Sequence, residues 1–117
     1  MFSNVLLEHF HNPHNAGELP GATSVAEVTN PICGDVLRLS ARIEKGRIAE
    51  ARFQAQGCTA AIAAGSVLTD LLAGKALAAA GRLTPEDISQ ALGGLPPATF
   101  HAAQLCADAV AALLKNV

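Results

Sequence analysis

Residues 35–58, DVLRLSARIEKGRIAEARFQAQGC, decide the fold. From Asp35 to Ile43, the side chains of Leu37, Leu39, Ala41 and Ile43 share one face of an extended chain, and Arg38, Ser40 and Arg42 share the other. Glu44-Lys45-Gly46-Arg47 reads as a turn. The period of two then resumes from Ile48 to Ala55, with Ala49, Ala51, Phe53 and Ala55 on one side and Glu50, Arg52 and Gln54 on the other. Two alternating runs joined by a Gly-containing turn form an antiparallel pair with one apolar and one wet face. A weaker run from Thr23 to Asn30 adds a third strand upstream, so the strands are expected to form a meander.

Helical patterns flank this sheet. Ser3 is a plausible N-cap for a short amphipathic helix over residues 3–11, which Asn12-Pro13 stops. From Thr59 to Ala73 the chain is apolar nearly all round except at Thr69 and Asp70, which predicts a helix buried on most sides and ended by Gly74. Short helices are expected at Ala76–Ala80 and at Pro85–Leu92, the latter with Thr84 as N-cap. Gly93-Gly94-Leu95-Pro96-Pro97 is a stiff link. The last helix is expected from about Ala98 to Leu114, with Gln104, Asp108, Ala111 and Lys115 outside and Ala102, Leu105, Cys106, Ala109, Val110 and Leu113 inside. The expected class is α+β: a three-stranded antiparallel sheet with about five helices packed on it, in one domain spanning residues 1–117.

Composition narrows the function. Half of the 117 residues are apolar and 15% are charged, which argues against disorder. Alanine supplies 24 of them, Trp and Tyr are absent and Phe occurs four times, so the core must rely on close backbone approach. The net charge is −2 and the eight Lys and Arg are scattered, which argues against a nucleic-acid surface. The N-terminus has no basic region with a cleavage pattern, and residues 53–69, a long uncharged stretch, are too polar and too short for a membrane span. Three cysteines do not make a disulfide framework, so a reducing cytoplasm is the expected compartment.

The meander brings two cysteines to one place. Strand one ends near Asn30, strand two leaves from Asp35, and strand three returns to end near Gln56. The Cys33–Asp35 loop and Gly57-Cys58 therefore share one end of the sheet, about 10 Å apart at strand spacings near 4.8 Å. Cys58 opens a helix, where the dipole favours a thiolate. A tetrahedral Zn²⁺ site, or a similar iron site, needs four N, S or O donors at about 2.0–2.3 Å. Cys33, Asp35 and Cys58 supply three, and His101, after the rigid Leu95-Pro96-Pro97 segment, is the expected fourth. Cys106 competes for that place. In a regular helix it points about 140° away from His101, and its apolar neighbours Ala102, Val110 and Leu113 read as core. His9, His11 and His14 read as surface or packing residues.

Several spaced motifs carry a family resemblance over nearly the whole chain. His9-Phe10-His11-Asn12-Pro13-His14-Asn15-Ala16-Gly17, Asn30-Pro31-Ile32-Cys33-Gly34-Asp35, the strand Ala51 to Gln56 ending in Gly57-Cys58, Gly74-Lys75, and Leu95-Pro96-Pro97 followed by His101 occur in order. The chain resembles the IscU/NifU-type iron–sulfur cluster assembly scaffolds. That resemblance implies an α+β fold and a scaffold rather than an enzyme. It implies a transient [2Fe–2S] cluster, or iron, with Zn²⁺ as the alternative occupant, held by Cys33, Asp35, Cys58 and His101. It also implies a cysteine desulfurase as sulfur donor, acceptor apo-proteins, and either a monomer or an oligomer bridged by the cluster.

Two departures from the family pattern stand out. Its third cysteine normally follows the histidine, where this chain has Ala102; Cys106 starts one turn, about 6 Å, further on. Its chaperone-recognition stretch, normally Leu-Pro-Pro-Val-Lys, reads Leu95-Pro96-Pro97-Ala98-Thr99, which weakens the expectation of an Hsp70-type partner. The competing expectations are a zinc-dependent persulfide acceptor that uses Cys106 as its thiolate, and a zinc-binding paralogue that builds no cluster.

Overall fold

The alternating run of residues 35–58 forms a hairpin that supplies the central strand and one edge strand of a three-stranded antiparallel sheet. The structure, a computed structural model, describes residues 2–117. Strands β1 (Ser24–Thr29), β2 (Val36–Glu44) and β3 (Arg47–Gln56) lie in that order as a meander. The helices are α1 (Asn4–His11), α2 (Thr59–Leu72), α3 (Leu77–Ala80), α4 (Pro85–Ala91) and α5 (His101–Lys115). The expected class therefore stands: α+β, with the helices on an antiparallel sheet.

Local chemistry explains the helix ends. The Ser3 hydroxyl accepts the Leu6 N–H at 3.0 Å and bonds the Leu92 carbonyl, so it caps α1 and ties it to the end of α4. Thr84 and Asp87 form a capping box on α4. The final helix starts three residues later than the sequence pattern suggests. Pro96 and Pro97 favour a 3₁₀ turn over Pro97–Thr99, and α5 begins only at His101.

The strict alternation read from the sequence fails at one place in β3. Arg42 pairs with Glu50 and Ile43 with Ile48, which leaves Ala49 as the extra residue of a bulge. Ile48 is therefore fully buried, and Ala49, expected inward, is exposed. One inserted residue reverses the facing of everything on its far side.

The core lies between the sheet and α2 and α5. Leu37, Leu39 and Phe53 from the sheet meet Val67, Leu68 and Leu72 of α2 and Leu105, Ala109 and Leu113 of α5. Small residues set the spacing: Ala60, Ala63 and Ala64 are fully buried, and a Cβ at Gly65 would meet the Phe53 ring at 2.5 Å. Ser24 on β1 donates to the Leu113 carbonyl at 2.8 Å, locking α5 across the sheet. No helix among the described residues is long and apolar enough to cross a membrane.

The segment after α1 is clasped to α2 and β3. Asn15 and Gly17 exchange backbone hydrogen bonds with Phe53, covering part of the β3 edge. His9 is buried with Nδ1 2.7 Å from the Ser66 hydroxyl, which also accepts the His14 N–H at 2.8 Å. Burial, and then the nearby His14 ring, lower the His9 imidazole below its ordinary 6.5, against an opposing pull from Asp70. The folded chain thus favours neutral His9. Its contribution to stability is complete above pH 6.5 and is lost as the pH falls through the lower folded-state value. Thermal melts between about pH 8 and about pH 5 should show Tm falling towards acid, and His9→Gln should flatten that slope.

Candidate functional site

The register assembles one end of the sheet. Thr29 and Gln56 both lie opposite Val36, so the residues just beyond them converge on Asp35. The Asn30 N–H donates to the Asp35 carbonyl at 2.8 Å, closing the loop between β1 and β2. Inside that loop the Asn30 side-chain oxygen accepts the Ile32 N–H at 2.9 Å and the Cys33 N–H at 3.4 Å. This is an Asx-type turn that fixes the backbone around Cys33. Gly34, at φ +77°, then reverses the chain. Cys33 is exposed and Asp35 is buried.

Gly57 brings the second cysteine close. Its φ is +154°, and a Cβ there would lie 2.6 Å from the Asp35 carboxyl carbon, so only glycine lets β3 pass that close. Cys58 follows as the N-cap residue of α2 but makes no side-chain bond to the helix amides. Its thiol donates instead to Asp35 Oδ2 at 3.6 Å. On the other side of the carboxylate, His101 Nε2 lies 3.4 Å from the same Oδ2. That nitrogen is buried and has no hydrogen-bond partner. One donor atom from each of Cys33, Asp35 and His101 lies within 4.8 Å of the other two.

The structure thus places three of the four expected residues around the carboxylate of the fourth, Asp35. Cys33, Asp35 and His101 form a tight trio, and Cys58 joins through Asp35. Two thiols, a carboxylate and an imidazole suit Zn²⁺ or iron. The orphaned ring nitrogen fits such an occupant as well, because a buried polar atom without a partner is costly until something binds it.

The setting of Cys58 works against the thiolate expected there. Desolvation pushes this thiol up. The Ala61 N–H opposes that shift, and the charge of Asp35 adds to it. The helix end does act in the expected direction, but burial and a neighbouring carboxylate outweigh it. Metal binding through Cys58 would therefore release its proton and would weaken as the pH falls.

Cys106 lies elsewhere. It is 1% exposed on the inner side of α5, and burial pushes its thiol up to about 12. Ala102, at the position of the family's third cysteine, is fully buried. Thiol labelling of the native chain should modify Cys33 fastest. Cys58 should react more slowly and accelerate with alkalinity, and Cys106 should react only after unfolding. Peptide mapping by mass spectrometry reads all three.

Sequence reasoning missed two features. Asn30 organises the first loop, and its position before Pro31 was the available signal. His9 is packed and His14 lies at the surface as expected, but their contacts to Ser66 and Asp70 of α2, with His14 Nδ1 2.6 Å from Asp70 Oδ2, have no local signal in the sequence. His11 is exposed.

A small antiparallel sheet capped by helices defines an α+β domain, and the Cys, Asp and His donors gathered at its loop end could hold a metal ion. Over residues 1–116 the chain matches the NifU-like N terminal domain family, and it belongs to that family. Iron-sulfur cluster assembly scaffold protein IscU 1 of Archaeoglobus fulgidus is 39% identical to it over 94% of this chain and 72% of that protein. The scaffold protein IscU of Aquifex aeolicus is 37% identical over 98% and 74%. The crystal structure of a NifU-like N-terminal protein from Brucella abortus superposes with a TM-score of 0.76 at 20% identity, covering 97% of this chain and 92% of that one. At that identity the structural match speaks for the fold alone.

Proposed function

We propose that this chain, as one domain over residues 1–117, is a scaffold on which an iron–sulfur cluster is assembled and from which it is passed on. Cys33, Asp35, Cys58 and His101 hold iron or a transient [2Fe–2S] cluster, and Zn²⁺ occupies the same donors at rest. The observation that carries this reading is His101 Nε2, buried without a partner and 3.4 Å from the Asp35 carboxylate, in the same trio as Cys33. The relatives named as cluster assembly scaffolds support it.

The cluster is cargo. Resident [2Fe–2S] centres usually have four thiolates. Two thiolates with a carboxylate and an imidazole make a weaker, exchangeable set. Cys33 sits on an exposed loop beside Ile32, which is 95% exposed, so an acceptor's thiolates can approach from that side. Sulfur comes from a cysteine desulfurase, iron enters at the four donors, and acceptor apo-proteins take the product. No side chain of the site is needed to break a bond in the cargo, so the role is a scaffold's. A reducing compartment such as the cytoplasm suits three unpaired cysteines. The persulfide-acceptor reading requires an accessible spare thiolate, and the burial of Cys106 disfavours it.

The test is cluster transfer. Anaerobic incubation with ferrous iron and sulfide should produce charge-transfer absorption on the chain. Addition of an apo-ferredoxin that takes a [2Fe–2S] cluster should move those bands to the acceptor faster than free iron and sulfide load it. A chain that forms no chromophore, or that retains it in the presence of the acceptor, contradicts the proposal.

A further inference from the structure

A second group of metal-ligating side chains lies well away from Cys58. His9 near the end of α1, His14 in the following loop and Asp70 in the last turn of α2 each place one donor atom within 4.8 Å of the other two. The two imidazole rings are 4.6 Å apart between centroids. Asp70 is about 18 Å along α2 from Cys58, at about 1.5 Å per residue, so the two groups cannot share one ion.

We propose that His9, His14 and Asp70 form a second cation site, selective for Zn²⁺ and ions of its class. Two imidazoles and one carboxylate are the donor set such ions prefer over the all-oxygen surroundings of Mg²⁺ or Ca²⁺. The outer contacts are already in place. The Ser66 hydroxyl lies 2.7 Å from His9 Nδ1 and holds that ring in place. The same hydroxyl takes the His14 N–H at 2.8 Å, so one side chain orients the first ligand and anchors the backbone of the second. Asn15 donates to Asp70 Oδ1 at 3.3 Å and to Thr69 at 3.1 Å, holding the third.

The His14 ring and Asp70 are hydrogen-bonded across 2.6 Å, and a cation takes the place of that contact. The side chains of His14 and Asp70 are 46% and 42% exposed, so they have room to separate and water can fill the open positions. His9 is buried and held neutral, which leaves its lone pair available at neutral pH. A cation here pins the end of α1 to the end of α2.

Zinc binding to the full chain tests this without reference to cluster assembly. Zinc competition against a chromophoric chelator should find one more equivalent on the wild-type chain than on His14→Ala or Asp70→Asn, and the remaining equivalent should be unchanged. In a Cys33→Ser/Cys58→Ser chain the second site should persist, and adding His14→Ala should weaken it at least tenfold. Asp70→Asn nearly preserves shape, so it reads the site even where His14→Ala fails to fold. In the double-cysteine chain, zinc should also shift the ring resonances of His9 and His14 and leave those of His11 in place. Equal zinc stoichiometry and affinity in wild type and Asp70→Asn, or a folded double-cysteine chain that takes up no zinc, overturns the proposal and leaves the trio a hydrogen-bonded clasp.

Discussion

Cys58→Ala is expected to abolish the charge-transfer bands formed on anaerobic reconstitution and to lower zinc affinity at the assembly site by at least about 100-fold, since loss of even an outer-shell partner costs about 10–100-fold. The residue sits where β3 passes into α2, and its thiol is already directed at Asp35 Oδ2. Alanine removes the only sulfur that Gly57 brings against that carboxylate. Cys33→Ala should behave alike, because Cys33 is the thiol of the Asp35–His101 trio. Cys106→Ala is the internal control. It should leave the bands unchanged while it costs some stability, since Cys106 is a buried core residue. Bands that persist in a Cys33→Ala/Cys58→Ala chain remove the site from the sheet end altogether.

Gly65→Val is expected to destabilise the fold by about 1–3 kcal/mol, the usual cost of overpacking, and to lower Tm by about 5–15 °C. Gly65 is buried in the middle of α2, and its missing Cβ is the space that the Phe53 ring fills, with Cδ2 and Cε2 at 2.5 and 2.8 Å from where that atom would be. Phe53 is itself only 3% exposed and pairs with Leu39 on the central strand, so the ring has little freedom to move. Pushing α2 off the sheet also moves Cys58 at its start, so zinc affinity should fall together with Tm. Smaller side chains opposite should restore part of both, which makes Gly65→Val/Phe53→Leu the matching double variant. A Gly65→Val chain that melts like wild type shows that α2 and β3 are less tightly joined than this contact requires.

The sheet and the sharing of one end by Cys33, Asp35 and Cys58 were legible because both follow from parity. Alternation sets the strands, and a meander of three strands returns its third end to its first. Parity also explains where the reading failed: one extra residue at Ala49 turns Ile48 inward, and no composition signal marks a bulge. The chemistry of Cys58 was read from one cause, the helix end, when three act on it. His9 and His14 pair with Ser66 and Asp70 more than fifty residues on, and such contacts depend on how α1 lies along α2 rather than on any local pattern. His101 was legible as a donor from its position after two prolines. Its exact setting, the first residue of α5 behind a 3₁₀ turn, needed the fold.

X-ray absorption at the zinc edge of chain loaded with one equivalent of zinc reads the ligand set itself. To keep the second cation site silent, the measurement belongs on Asp70→Asn. Cys33, Asp35, Cys58 and His101 require two sulfur scatterers near 2.3 Å and two nitrogen or oxygen scatterers near 2.0–2.1 Å, one of them an imidazole. A shell of three sulfurs would bring Cys106 out of the core and into the site. A shell with no sulfur would place the metal away from the end of the sheet, and either result contradicts the four-residue site proposed here.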